Sequence, residues 1–223
     1  MSYIIKKVKL YSHVKKNKQF FTKFANKVGL VYFGFVNQHT DDHKIIRGFT
    51  VSTKHNDNHY SVGSIGGYNV SIVYRTDFVS QPNKSEKLYK WLIMAFDLHT
   101  KMPIPHIFIG AQNNEIKSYQ ALFSTYPNMK DINNSSNTDY SPEFTNRFTL
   151  FARPAKTDDV EQIFDDKAAI IMATHFWPFS VEQHDNVLYV YASDEKITEN
   201  LLNTMLENGL WFAGYIDNKA ESL

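Results

Sequence analysis

Nine histidines are spread through a chain of 223 residues that holds no cysteine. Disulfides, thiolate metal sites and cysteine nucleophiles are therefore absent together, and imidazole and carboxylate groups must carry any proton or metal chemistry. Two groupings have the right residue types. Asp97, His99 and His106 flank a loop stiffened by Pro103 and Pro105. A histidine oriented by a carboxylate is a general base, and Asp97 with His99 or His106 supplies that pair. No serine stands beside them in a recognisable elbow, and histidines in loops more commonly serve hydrogen bonding. The second grouping is His39, Asp41, His43, His55, Asp57 and His59, which crowd two neighbouring turns. A divalent ion needs three or four such donors converging, and no helical H-E-x-x-H spacing places these on one face. If a strand over Lys44–Thr53 pairs with the strand from Tyr60, the two turns lie at opposite ends of that strand. The expectation is no catalytic residue, no metal and no cofactor.

Gly63-x-x-Gly66-Gly67 invites a phosphate-loop reading, but a phosphate loop needs a helix directly after its glycines. Tyr68-Asn69-Val70-Ser71-Ile72 alternates like a strand, so the glycines mark the turn of a hairpin between Ser61 and Tyr74. Leu88–Phe96 is nearly continuous in apolar residues and reads as a central strand covered on both faces, with a buried helix as the alternative. His106–Ile109 and Phe148–Ala152 read as further strands. Val181–His184 and Val187–Ala192 form a second hairpin about Asp185-Asn186.

Helical spacing of Phe20, Phe21, Phe24, Ala25 and Val28 predicts a helix over Lys18–Val28, stopped at Gly29. A second helix is expected to start with Asp158 as N-cap and Glu161 three residues on, burying Ile163, Phe164, Ala168, Ile171 and Met172. The last helix is expected to be capped by Asp194 and ended or bent by Gly209. Together these elements predict an α+β fold, a mainly antiparallel sheet with helices packed on it. Two associated halves are expected, residues 1–112 and 147–223, joined by a long polar connection over 113–146 rich in Asn and Ser, or one continuous domain. Trp177, Trp211 and Phe212 read as core, or as a packing seam between the C-terminal helices. Exposed, they would mark a partner surface.

The net charge of +1 hides an asymmetry: residues 1–40 carry eight lysines and no acid, and the remainder is acidic by seven. A basic arm of this kind is commonly the solvated face of a helix packed on the body. The sharper alternative is association with an anionic surface through Lys15, Lys16, Lys18, Lys23 and Lys27, a membrane before a nucleic acid. No run approaches the roughly 18 uninterrupted apolar residues of a spanning helix. A soluble, cytoplasmic protein is expected.

Several pieces in order, Phe24-Ala25-x-x-x-Gly29-Leu30-x-Tyr32, Gly63-x-x-Gly66-Gly67-x-x-Val70, Pro105-His106-Ile107-Phe108-Ile109, Phe144-x-x-x-Phe148-x-Leu150-Phe151-Ala152 and Val187–Tyr191, resemble an uncharacterised bacterial domain family. Its members are often the cytoplasmic part of proteins that also carry transmembrane helices, and the resemblance implies no activity or catalytic residue. The sequence thus points to a non-catalytic binding module, with protein as the first partner class. A metal-assisted or histidine-based hydrolase and the anionic-surface association are the alternatives.

Overall fold

The computed structural model describes residues 17–35, 55–79, 87–112, 128–133, 136–193 and 196–222. Among these the chain is α+β. Its strands are β1 (Val31–Gly34), β2 (His55–Ile65), β3 (Tyr68–Val79), β4 (Lys87–Asp97), β5 (Ile107–Ala111), β6 (Lys130–Asp131), β7 (Phe148–Ala152), β8 (Ser180–His184) and β9 (Val187–Ser193). They make one nine-stranded sheet in the order β1-β2-β3-β4-β9-β8-β5-β7-β6, every pairing antiparallel. Strands from residues 1–112 and from 147–223 thus share a single sheet. The helices are α1 over residues 17–28, α2 (Pro142–Thr145), α3 (Thr157–Ile163), α4 (Asp166–His175) and α5 (Glu199–Glu221).

Turn chemistry sets the two tight hairpins. Gly66 and Gly67 have φ of +60° and +88°, and Asp185 and Asn186 +50° and +58°. Two consecutive left-handed residues are what a two-residue turn needs to match the twist of its strands. Side-chain alternation then sorts β4 between two cores. Leu92, Met94 and Phe96 face the helices, whereas Trp91, Ile93 and Ala95 join Tyr89, Phe108, Tyr189 and Tyr191 on the other face. That is why the run lacks a polar side.

On the helical face α1 buries Phe21, Phe24 and Ala25, and Gly29 at φ +83° ends it while Leu30 N–H donates to the Ala25 carbonyl at 2.8 Å. The helix expected from Asp158 is two helices. Lys156 occupies the cap position of α3 without a side-chain bond. The chain leaves helical geometry at Phe164, which is fully buried. Asp165 then caps α4 by accepting from Ala168 N–H at 2.9 Å. A buried aromatic followed by a strong cap outweighs the capping-box signal upstream.

The last helix likewise starts elsewhere: Thr198 caps it, accepting from Leu201 N–H at 3.1 Å, and Asp194 lies outside the described residues. Gly209 neither begins nor ends a segment. A Cβ built there would meet the Phe96 ring closer than the 3.0 Å limit of real Cβ contacts, so this glycine lets α5 lie directly on β4. The expected strand Lys44–Thr53 lies outside the described residues. No described helix is long and apolar enough to cross a membrane.

Candidate functional site

Both loop histidines do have carboxylate partners, but neither partner is Asp97. His106 Nε2 lies 2.7 Å from Glu182 Oε1, and Tyr191 donates its hydroxyl to Glu182 Oε2 at 2.7 Å. Glu182 and Tyr191 are buried, and burial together with the Glu182 charge pushes the Tyr191 phenol well above its ordinary pKa. The His184 ring sits 4.1 Å from His106; burial, then the neighbouring His106, lowers its pKa.

His99 lies on the helical side instead. Its ring stacks on Tyr68 at 4.3 Å and Nε2 is 3.1 Å from the Gly67 carbonyl. Asp217 of α5 accepts from the backbone N–H of His99 and of Thr100, both at 3.0 Å, and from the Tyr68 hydroxyl at 2.8 Å. Burial and Asp217 raise the Tyr68 phenol to about 12. One carboxylate thereby ties the β2–β3 turn, the loop after β4 and α5 together. Asp97 is exposed and receives the Asn69 amide at 3.4 Å. Asn69, Asp217 and Glu182 hold Asp97, His99 and His106 respectively, and Tyr68 beside His99 and Tyr191 beside Glu182 belong to opposite faces of the sheet. Sequence reasoning missed Glu182 and Asp217 because both stand far along the chain from the histidines they hold.

Asp57 and His59, expected in a turn, lie instead on β2, where pairing with β3 extends the strand back to His55, and each has its own partner. Arg75, fully buried on β3, takes the two oxygens of Asp57 with Nε and a terminal nitrogen at 2.8 and 2.7 Å. Burial alone would lower the Arg75 pKa, and the Asp57 bonds outweigh it and raise it. His59, at φ +59° in the bulge of β2, stacks on Phe21 of α1 at 4.6 Å, with Nδ1 2.9 Å from the Tyr32 hydroxyl. Burial and the Lys18 charge lower its pKa to about 4. His39, Asp41 and His43 lie outside the described residues, as does the side chain of His55. Among the described residues no three His, Asp or Glu side chains gather as a metal ligand set.

In the basic arm, Lys15 and Lys16 lie outside the described residues. Lys18 is exposed on α1, and Lys23 and Lys27 reach Glu199 at the start of α5 at 3.5 and 2.9 Å. Trp177 and Trp211 are 39% and 37% exposed at the rim of the C-terminal seam, while Phe212 is buried.

A cleft of about 690 Å³ lies elsewhere, between the β6–β7 edge of the sheet and α2. Gln112, Asp131, Asn133, Ser136–Tyr140, Pro142, Thr145 and Thr149 line it. Internal hydrogen bonds fix its walls. Asn133 donates to the Phe148 carbonyl at 3.3 Å and accepts from Leu150 N–H at 2.8 Å, continuing the ladder beyond β6. Gln112 Nε2 donates to the carbonyls of Thr145 and Phe148 and to Thr149 Oγ1 at 3.0–3.1 Å. Glu161 of α3 grips the rim from behind, Oε1 accepting from Ser136 Oγ at 2.7 Å and from Asn137 N–H at 2.5 Å. The Ser136 bond, ahead of the backbone bonds, holds the Glu161 carboxyl below its ordinary pKa. Tyr140 anchors the floor by donating to the Phe164 carbonyl at 3.1 Å. Among the described residues the lining holds amides, hydroxyls and two carboxylates, and no lysine, arginine or histidine.

No family model matches the chain, and no curated protein matches it in sequence. Among solved structures it is similar to the crystal structure of the mycobacterial trehalose monomycolate transport factor A, TtfA, with a TM-score of 0.54 and 12% identity over 91% of this chain and 93% of that one. At that identity the two chains share a fold along nearly their whole length.

Proposed function

We propose that this protein is a non-catalytic binding module and that the cleft beside α2 is where it binds. The observation that carries the reading is a concave surface of about 690 Å³, within the range of small-molecule sites, whose polar groups are held in place by Asn133, Gln112 and Glu161 before any ligand arrives. Preorganised walls favour binding because little side-chain freedom is lost on association. Chemistry would need a nucleophile within reach of a base, and His99 and His106 are engaged away from the cleft. The shared fold supports the same direction, since TtfA is a transport factor, a role that asks for recognition of cargo or of a partner rather than turnover.

The test is a protein-detected NMR screen of polar metabolites against the full chain, with proton spectra of each compound followed for a day. Shifts gathered on Gln112, Asn133 and Ser136–Tyr140 with the compound unchanged are expected. Ligands that move only other residues would refute the cleft, and conversion of a bound compound would refute the non-catalytic reading.

A further inference from the structure

We infer that the ligand of this cleft is a neutral, polyhydroxylated molecule, a sugar or the sugar headgroup of a glycolipid; this rests on the cleft being the binding site. The argument turns on which lining groups stay open. Asn133 uses both ends of its amide on β7, and Gln112 spends Nε2 on three internal acceptors, which turns Oε1 away from them. Among the described residues, what remains toward the space is Gln112 Oε1, the second oxygen of Asp131 beyond the one that takes Asn133 N–H at 2.9 Å, the carboxylate of Asp139 and the hydroxyl of Thr138, so that acceptors outnumber donors.

An acceptor-rich wall calls for a donor-rich ligand. Phosphates, sulfates and carboxylates bring acceptors alone and leave these acceptors without donors. Donor-rich ligands are polyols or ammonium cations. Asp131 and Asp139 are solvent-exposed, so their attraction for a cation is screened at physiological salt. Hydrogen bonds of fixed direction are not weakened in that way, and a molecule with many hydroxyls collects several at once. Vicinal hydroxyls match the paired oxygens of a carboxylate, and Tyr140 and Pro142 add carbon surface for a sugar ring.

The experiment titrates the ¹⁵N-labelled full chain with trehalose, maltose, spermidine and sodium phosphate at low and high salt. A parallel arm uses phosphatidylcholine vesicles with and without a fatty-acyl ester of trehalose. The expected result is that at least one disaccharide shifts Gln112, Asp131 and Thr138–Tyr140, with affinity on the order of millimolar for a small ligand with few anchoring contacts and unchanged by salt. Asp139→Asn, an exposed site whose change leaves the fold intact, should weaken that affinity about three-fold or more. Vesicle binding only with the ester assigns the source as a glycolipid headgroup; response to free sugar alone assigns a soluble saccharide. If spermidine or phosphate moves these amides and the sugars do not, the ligand class is overturned while the cleft stands as the site. If no probe moves the cleft, this inference is overturned, and the metabolite screen then decides the wider reading.

Discussion

Gly209→Ala tests the close packing of α5 against β4. The added methyl would meet two carbons of the Phe96 ring inside any real contact distance and a third at 3.1 Å. Phe96 is fully buried at the centre of the helical core, and its strand is paired on both sides with β3 and β9, so the ring has no space to swing into. Relief requires α5 or the ring to move by about 1 Å, and an overlap this deep falls in the upper half of the usual overpacking cost, about 2–3 kcal/mol. Against that, alanine is the better helix former by about 1 kcal/mol. The net expectation is a loss of about 1–2 kcal/mol, which at 2–4 °C per kcal/mol for a chain of this size is a fall of about 2–8 °C in midpoint. Thermal and urea unfolding of the wild type, Gly209→Ala, Phe96→Leu and the double variant form the assay. The smaller side chain should offset part of the alanine's cost, so the two changes should be non-additive by at least 0.5 kcal/mol, the lower range for residues in contact. A Gly209→Ala protein as stable as the wild type, or more stable by the helix-propensity gain, would refute the close packing of α5 on β4.

Three other outcomes follow from particular contacts. His59 has its pKa lowered to about 4 from about 6.5 in the unfolded chain, so the unfolded state binds the proton first. Stability should hold above pH 6.5, fall as pH drops from there to about 4 and level off below; the loss is about 1–2 kcal/mol once partial solvent access to the ring is discounted. Melting curves over pH 4–8 should lose that slope in His59→Asn, asparagine being tolerant of the left-handed backbone there; an unchanged slope would remove His59 as its source. Asp217→Ala should cost about 2–4 kcal/mol by stranding the Tyr68 hydroxyl and two backbone donors, with Asp217→Asn milder; a cost under 0.5 kcal/mol would mean that Asp217 does not hold the three segments together. Glu161→Gln should speed amide exchange at Asn137 and Thr138. The wild-type grip should fade only as pH falls below the ordinary carboxylate range, because the lowered carboxyl pKa keeps the charged acceptor in place above it. Exchange at those two amides that ignores the change would contradict the rim geometry.

The readable parts of this chain were those governed by local rules. Glycine and Asp-Asn pairs needing positive φ fixed both hairpins, aromatic spacing and Gly29 fixed α1, and the apolar run at Leu88–Phe96 marked the centre of the sheet. The break between α3 and α4 was hidden because Phe164 looks like any apolar helix position until its burial outside helical geometry is seen. Gly209 read as punctuation because the Phe96 ring that demands it lies more than a hundred residues earlier. Glu182 and Asp217 were invisible as histidine partners for the same reason, since strand register and helix packing, not spacing, bring them in. The cleft was concealed by composition: Asn, Ser, Thr and Asp between residues 112 and 149 are the residues of a connecting loop, and only the bonds to β7 and Glu161 turn them into walls.

The most specific claim is that the polar cleft beside α2 takes a neutral, polyhydroxylated ligand. It is tested most directly by a crystal structure of the full chain grown with trehalose at a concentration well above millimolar. The account predicts a sugar seated in the cleft with hydroxyls on Gln112 Oε1 and on the Asp131 and Asp139 carboxylates. An empty cleft at that concentration, with sugar bound at another surface or nowhere, would contradict it.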